Sequence, residues 1–336
     1  MPQNSDPPPA GKTLSRGCVL CHEGAKMVLF VTGRCRRTCW YCPLSRERKG
    51  RDVVFANDRE VTTLSDIIRE AEAMSALGAG ITGGEPLLVL DRVVEHCTLL
   101  KEHFGPDHHI HLYTGLAPDE AMLRRLQGLV DEIRLHPPHE SWKDILDTDY
   151  AKSAIFARQM GFSIGIEVPS LPGIGALAAA RPLIDFLNIN DLEWGETCAA
   201  ATRERGLEPE DGLHNAVRGA REWAEELPAD PKIHFCSSVF KDSVQLRERL
   251  RRIAANTARP FEEVTDDGTV VYGVLEPAGS LDGFLDDLDE DDYEVREGRI
   301  EMAWWVLADN ADRASGRKYV VERYPNGGMV VEVTPL

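Results

Sequence analysis

Lysine is scarce in this chain of 336 residues: 9 of the 38 basic residues are lysine and 29 are arginine, against 56 acidic residues, for a net charge of -18. That balance opposes broad electrostatic binding to nucleic acid, which depends on neutralising phosphates. It suits a cytoplasm of very high salt, where screening shortens every charge interaction to a few ångströms, so the expected host is halophilic. Long apolar runs are missing too. No stretch approaches the roughly 20 residues that a membrane span needs, and Met1 to Gly11 is polar and proline-rich rather than charged and then apolar like a signal peptide. A membrane is therefore excluded from the expected partners, and the expected location is the cytoplasm.

Cysteine is present in a telling pattern. Five of the eight cysteines lie between Cys18 and Cys42; without a secretion signal they read as metal ligands and core thiols rather than disulfides. Cys35 to Cys42, Cys-Arg-Arg-Thr-Cys-Trp-Tyr-Cys, brings three thiols to one site. In a cubane iron–sulfur cluster each iron takes a cysteine, so a loop supplying three leaves one iron open to chelate a small molecule. A structural zinc site wants four protein ligands, and three cysteines argue against it.

The spacing CxxxCxxC with an aromatic residue, Tyr41, before the last cysteine resembles the radical S-adenosylmethionine (SAM) family, and Gly83-Gly84-Glu85-Pro86 resembles that family's GGEP motif at the end of the second barrel strand. Motif order and spacing look most like relatives of pyruvate formate-lyase activating enzymes, from an archaeal, halophilic host. The resemblance implies a 4Fe–4S cluster on Cys35, Cys39 and Cys42, with SAM bound through its amino and carboxylate groups on the open iron. It also implies adenine contact near Tyr41 and methionine contact at Gly83, Gly84 and Glu85. A one-electron reductant such as ferredoxin or flavodoxin is implied as a partner. Glycine suits such a turn because a Cβ would intrude where backbone approaches a ligand.

A second pair, Cys18-Val-Leu-Cys21-His22, is too few for a metal alone; Cys236, in Ile233-His-Phe-Cys236-Ser-Ser, is the candidate third ligand, and His22 and His234 can contribute. This predicts a second cluster or a zinc site. The alternative is an unmetallated thiol pair and a buried core Cys236.

Strand-like apolar runs alternate with helical periodicity: Met27 to Thr32, helix Thr63 to Leu77, Ala79 to Thr82, helix Leu87 to Phe104, His109 to Thr114, helix Pro118 to Leu129 and Glu132 to His136. The pattern continues with helix Lys152 to Met160, Ser163 to Pro169, Leu183 to Ile189, helix Leu213 to Glu226 and Ile233 to Cys236. Such alternation predicts an α/β fold with six or seven parallel strands, matching the partial TIM-like barrel that the resemblance implies. Function in such barrels sits at the C-terminal strand ends, here Thr114-Gly115, Arg134, His136, Glu167 to Pro169, Asn188 to Asp191 and Glu193. Thr114 and His136 are the candidates for further SAM contact by resemblance, although Thr114-Gly115 lacks the family's asparagine and Pro137-Pro138 departs from its pattern. The default for any one of these polar residues is burial with a backbone partner.

The expected organisation is a flexible lead over residues 1–17, a barrel over 18–256 and a small α+β domain over 257–336, with hairpins at Phe261 to Leu275 and Arg317 to Thr334 and an acidic loop at Phe284 to Asp292. The leading reading is a radical SAM enzyme that starts hydrogen abstraction on an unidentified substrate, a protein foremost. An RNA-modifying enzyme is the alternative, motivated by the basic run Arg46 to Arg51 and the Arg-rich helix Asp242 to Ala255. A non-catalytic iron–sulfur protein is the alternative of another class.

Overall fold

Each predicted apolar run of the first two-thirds becomes a strand buried on both faces, the signature of a parallel sheet covered by helices. A computed structural model describes residues 14–212, 214–279, 284–285, 288–313 and 315–336. They form two compact units, one comprising the described residues to Glu72 and Ala76–Gln245, the other Ala73–Ser75 and those from Leu246 onward.

In the first unit α1 (Arg16–His22) leads into β1 (Lys26–Phe30), then β2 (Phe55–Ala56), β3 (Arg59–Glu60), α2 (Leu64–Ala73), β4 (Gly78–Thr82), α3 (Leu90–Phe104) and β5 (His109–Thr114). There follow α4 (Glu120–Leu126), β6 (Glu132–Leu135), α5 (Asp149–Gln159), β7 (Ser163–Pro169), β8 (Phe186–Asn190), α6 (Ala199–Arg203), α7 (Ala220–Ala224), β9 (Ile233–Cys236) and α8 (Ser238–Phe240). The sheet runs β3-β2-β1-β4-β5-β6-β7-β8-β9. The seven strands β1 and β4 to β9 are parallel, while β2 and β3 add an antiparallel edge. Among the described residues β9 pairs only with β8, so the barrel is partial, as expected.

Helices cover the sheet with their apolar stripes, Ile67 and Ala71 from α2 and Val93, Cys97 and Leu100 from α3. Cys97 is thus a core thiol. Local signals set the boundaries: the Asp119 carboxylate accepts from the Met122 N–H at 2.8 Å and caps α4.

The inside of the partial barrel is polar. Arg134, only 2% exposed, donates from Nε to Glu132 at 2.6 Å and from Nη1 to Glu167 at 2.6 Å. Helix α1 seats against this network: the Gly17 N–H and the Ser15 hydroxyl each donate to Glu132 at 3.2 Å. A Cβ at Gly17 would run into His111 and Arg134, so only glycine lets the helix come this close. Ser15 to Gly17, expected as the end of a flexible lead, are therefore the ordered start of α1; residues 1–13 lie outside the described residues.

Two other expectations change. Of the helix expected over Leu213 to Glu226, α7 is the helical part, and residue 213 lies outside the described residues. The Arg-rich helix is not one regular element: Lys241–Leu246 is π-helical and precedes α9 (Arg247–Thr257).

The second unit continues with β10 (Glu263–Val264), β11 (Val270–Pro277), β12 (Tyr293–Arg296), β13 (Arg299–Met302), α10 (Trp304–Asp309), β14 (Gly316–Arg323) and β15 (Val330–Pro335). Its antiparallel sheet has the order β12-β13-β11-β14-β15, with β10 on β11. Leu275, Ile300, Met302 and Leu307 form one part of its core. Part of the acidic loop over Phe284 to Asp292 lies outside the described residues.

Candidate active site

The cysteine loop leaves the C-terminal end of β1, and the glycine turn leaves the neighbouring end of β4. Backbone hydrogen bonds join the two: the Gly84 N–H donates to the Thr32 carbonyl at 2.7 Å and the Glu85 N–H to the Arg34 carbonyl at 2.8 Å. A Cβ at Gly83 would sit 2.5 Å from the Thr32 oxygen, and one at Gly84 would sit 2.5 Å from the Arg34 oxygen. Both glycines are thus demanded by the approach of two backbones, which is a different reason from the ligand approach expected from sequence.

Cys35, Cys39, Cys42, Tyr41, Gly83, Gly84, Thr114 and His136 all border one cavity of about 430 Å³ at the C-terminal ends of the strands. Glu85 does not. Its carboxylate is 2% exposed and turns away into four donors: Leu87 N–H at 3.0 Å, the Thr114 hydroxyl at 2.8 Å, Gly115 N–H at 2.7 Å and Leu116 N–H at 3.0 Å. The carboxylate thereby braces the end of β4 against the end of β5. Burial pushes its carboxyl up despite these donors.

His136 and Tyr41 form another part of the cavity wall. Nδ1 of His136 lies 2.9 Å from the Glu167 carbonyl, which can only accept, so Nδ1 carries the proton and Nε2 accepts from the Tyr41 hydroxyl at 3.2 Å. Burial, with the Arg37 cation adding to it, holds His136 down at about 4, so the ring is neutral. Burial pushes the Tyr41 phenol up, keeping it a donor.

Arg37, inside the cysteine motif, was not singled out in the sequence. Its guanidinium donates to the His136 carbonyl at 2.6 Å and also bonds the Gly115 carbonyl and the Tyr150 hydroxyl. It pins the cysteine loop to the ends of β5 and β6. Lys241 was also missed. It sits in the π-helical turn with Nζ 2.6 Å from Glu193, and lines the cavity with Asn190 and Asp191. Burial alone would lower it, but Glu193 and neighbouring groups hold it raised and charged. The one available signal was rarity, a lysine in a chain that otherwise prefers arginine.

The fit to the implied cofactors rests on the donor set and on the exposed turn. Three thiols reach one cavity, and half-buried Gly83 and Gly84 present backbone to it. Cys35, Cys39 and Cys42 can hold a cluster there; the turn can border the methionine part of SAM and Tyr41 its adenine. Among the described residues no three His, Cys, Asp or Glu side chains converge as a site for a single metal ion, whereas in a cubane each thiolate takes its own iron.

Cys18, Cys21 and Cys236 all border a smaller cavity of about 130 Å³, with His22, His234, Arg134, Glu167 and Asn188. Arg134 and Glu167 therefore face this inner cavity. Burial would raise Glu167, but Arg134, Asn190 and Asn188 outweigh it and hold the carboxyl at about 2.

Two arginines of the basic run have contacts within the chain. Arg46 pairs with Glu196 at 3.0 Å, and the Arg48 guanidinium lies 4.3 Å over the Phe55 ring. Arg247 and Arg251 both pair with Glu248.

No helix among the described residues is long and apolar enough to cross a membrane. Residues 29–159 match the radical SAM superfamily and residues 268–336 match a domain of unknown function, DUF8061. A protein of Methanocaldococcus jannaschii described as "Putative glycyl-radical enzyme activating enzyme" is 34% identical, over 96% of this chain and 93% of the relative. These matches lend no support to a halophilic host. They do agree with the cysteine loop, the glycine turn and the open parallel sheet: the chain belongs to the radical SAM superfamily, as an enzyme similar to its activating enzymes.

Proposed function

We propose that the enzyme holds a 4Fe–4S cluster on Cys35, Cys39 and Cys42, binds SAM in the 430 Å³ cavity, and starts hydrogen abstraction on a macromolecule, foremost a glycine of a partner protein. The observation that carries this reading is the joining of the two motifs. Three thiols and the Gly83-Gly84 backbone line one cavity, and the bonds from Gly84 to Thr32 and Glu85 to Arg34 hold their loops in register. When bound and reduced by a donor such as ferredoxin or flavodoxin, the cluster supplies the electron that splits SAM into methionine and a 5'-deoxyadenosyl radical. The chain's own residues position and shield. Arg37 fixes the cysteine loop, Glu85 fixes the strand ends, and neutral His136 orients the Tyr41 ring at the cavity wall. The similarity to a protein described as activating a glycyl-radical enzyme supports the choice of a protein substrate.

The test is 5'-deoxyadenosine formation by the anaerobically reconstituted, reduced protein, with host extract divided into protein, RNA and small-molecule fractions. Stimulation by the protein fraction is expected; stimulation by RNA alone would replace the substrate assignment. Cys39→Ala should lose iron and SAM cleavage together. Full retention of both would overturn the reading, and bound iron and SAM without product under any fraction would favour a non-catalytic protein.

A further inference from the structure

The inner cavity collects more metal-binding chemistry than a packed core needs. Cys18 and Cys21 come from α1 and Cys236 from the end of β9, more than 200 residues later, yet all three border the same roughly 130 Å³. His22 lines the same space. Its Nε2 is buried with no hydrogen-bond partner among the described residues, an orphaned atom of a kind that calls for an explanation. The ring stays in place by packing on Phe240, 4.2 Å between centroids.

The sulfur atoms are also surrounded by donors. Asn188 Nδ2 donates to Cys18 Sγ at 3.1 Å and Arg134 Nη2 to the same atom at 3.5 Å; Gln245 Nε2 lies 3.8 Å from Cys236 Sγ. Amide and guanidinium donors aimed at sulfur are how a protein stabilises and tunes thiolates bound to iron. Two cations, buried Arg134 and part-exposed Lys241, face the cavity and oppose the negative charge that three thiolates bring.

We propose that Cys18, Cys21 and Cys236 hold a second iron–sulfur cluster, with His22 Nε2 as the fourth ligand. A polynuclear cluster fits better than one zinc ion. Zinc draws its donors to about 2.0–2.3 Å around a single point, and these donors ring the cavity without meeting that arrangement. The two cavities share Tyr113, Asn190 and Lys241 on their walls, so the second cluster would adjoin the SAM cavity. This assignment is independent of which substrate the first site serves.

The test is anaerobic reconstitution of Cys35→Ala/Cys39→Ala/Cys42→Ala with ferrous iron and sulfide. Iron and acid-labile sulfide are counted per folded chain, and the reduced sample is read by electron paramagnetic resonance. The variant should keep about half of the wild-type iron and sulfide, and adding Cys236→Ser should remove it. In the same background His22→Gln should change the resonance signal. A variant that is folded by circular dichroism but holds neither iron nor sulfide overturns the proposal, as does zinc bound without sulfide. If that variant does not fold, Mössbauer iron counting on the wild type decides: about eight irons per chain supports two cubanes and about four overturns the second. Failure here leaves SAM cleavage by the wild type untouched, so the two readings fail separately.

Discussion

The Tyr41 hydroxyl bonds Nε2 of His136 at 3.2 Å because the other ring nitrogen is committed to the Glu167 carbonyl at 2.9 Å. One strand end thus sets the tautomer, and the tautomer orients the aromatic residue inside the cysteine motif. Tyr41→Phe keeps the ring and loses one hydrogen bond, worth about 0.5–1.5 kcal/mol; iron content should be unchanged and SAM cleavage should fall less than tenfold. Tyr41→Ala should fall further. Equal damage from both variants would show that the ring itself does not matter.

Arg37 bonds three acceptors, the carbonyls of Gly115 and His136 at two strand ends and the Tyr150 hydroxyl on α5, through a planar fork, a geometry that the single ammonium of lysine does not reproduce. Arg37→Lys should therefore behave like Arg37→Ala. Both should reconstitute with less iron than wild type and lose iron faster to a chelator, with the overall fold intact by circular dichroism. Normal iron retention in the alanine variant would remove the bracing role.

Glu85→Gln tests the four-donor carboxylate. Leu87 N–H and the Thr114 hydroxyl share one oxygen, and the Gly115 and Leu116 N–H groups share the other. An amide can satisfy only one side, because its own N–H groups oppose backbone N–H on the other. A loss of about 1–3 kcal/mol is expected in urea unfolding of the apo-protein, with weakened SAM binding. Unchanged stability would show that the carboxylate is not the brace.

Stability should fall with acid. Burial holds His96 and His108 at about 4, below the ordinary 6.5, with nearby cations adding to the effect. Between those values the unfolded chain binds more protons, so this contribution is complete above pH 6.5 and is lost as pH falls towards 4. Glu167, held at about 2 against an ordinary 4.5, adds a loss in the same direction between those limits. Urea unfolding at pH 7 and pH 5 should differ by on the order of 1–2 kcal/mol for each of the two histidines. His96→Gln should reduce the difference; identical stability at both values would contradict the burial argument.

The strands were legible because a parallel strand covered on both faces is a short, nearly continuous apolar run, as in Ile164 to Val168. The cysteine loop was legible because its ligands are close in sequence. Cys236 could be paired with Cys18 and Cys21 only as a guess from chemistry, and the fold supplies the reason, since β9 ends beside α1's inner face. Arg37 and Lys241 escaped because their partners, Gly115, His136 and Glu193, are distant in the chain. The two-residue strands β2 and β3 are too short to show a period. Gly83 and Gly84 were found for a reason that differs from the one the backbone supplies, since the carbonyls of Thr32 and Arg34 already fill the space where side chains would go.

The seating of α1 bears on folding order. Ser15 and Gly17 bond to Glu132, 117 and 115 residues later in the chain, on the sixth strand. α1 precedes every strand of the sheet that receives it, so its docking must wait for β6 and for the closure of a long loop, an entropic delay typical of non-local contacts. During synthesis Cys18 and Cys21 remain outside the protection of the barrel, and Cys18, buried in the finished fold, should react with oxidants far more readily in the interval before α1 docks.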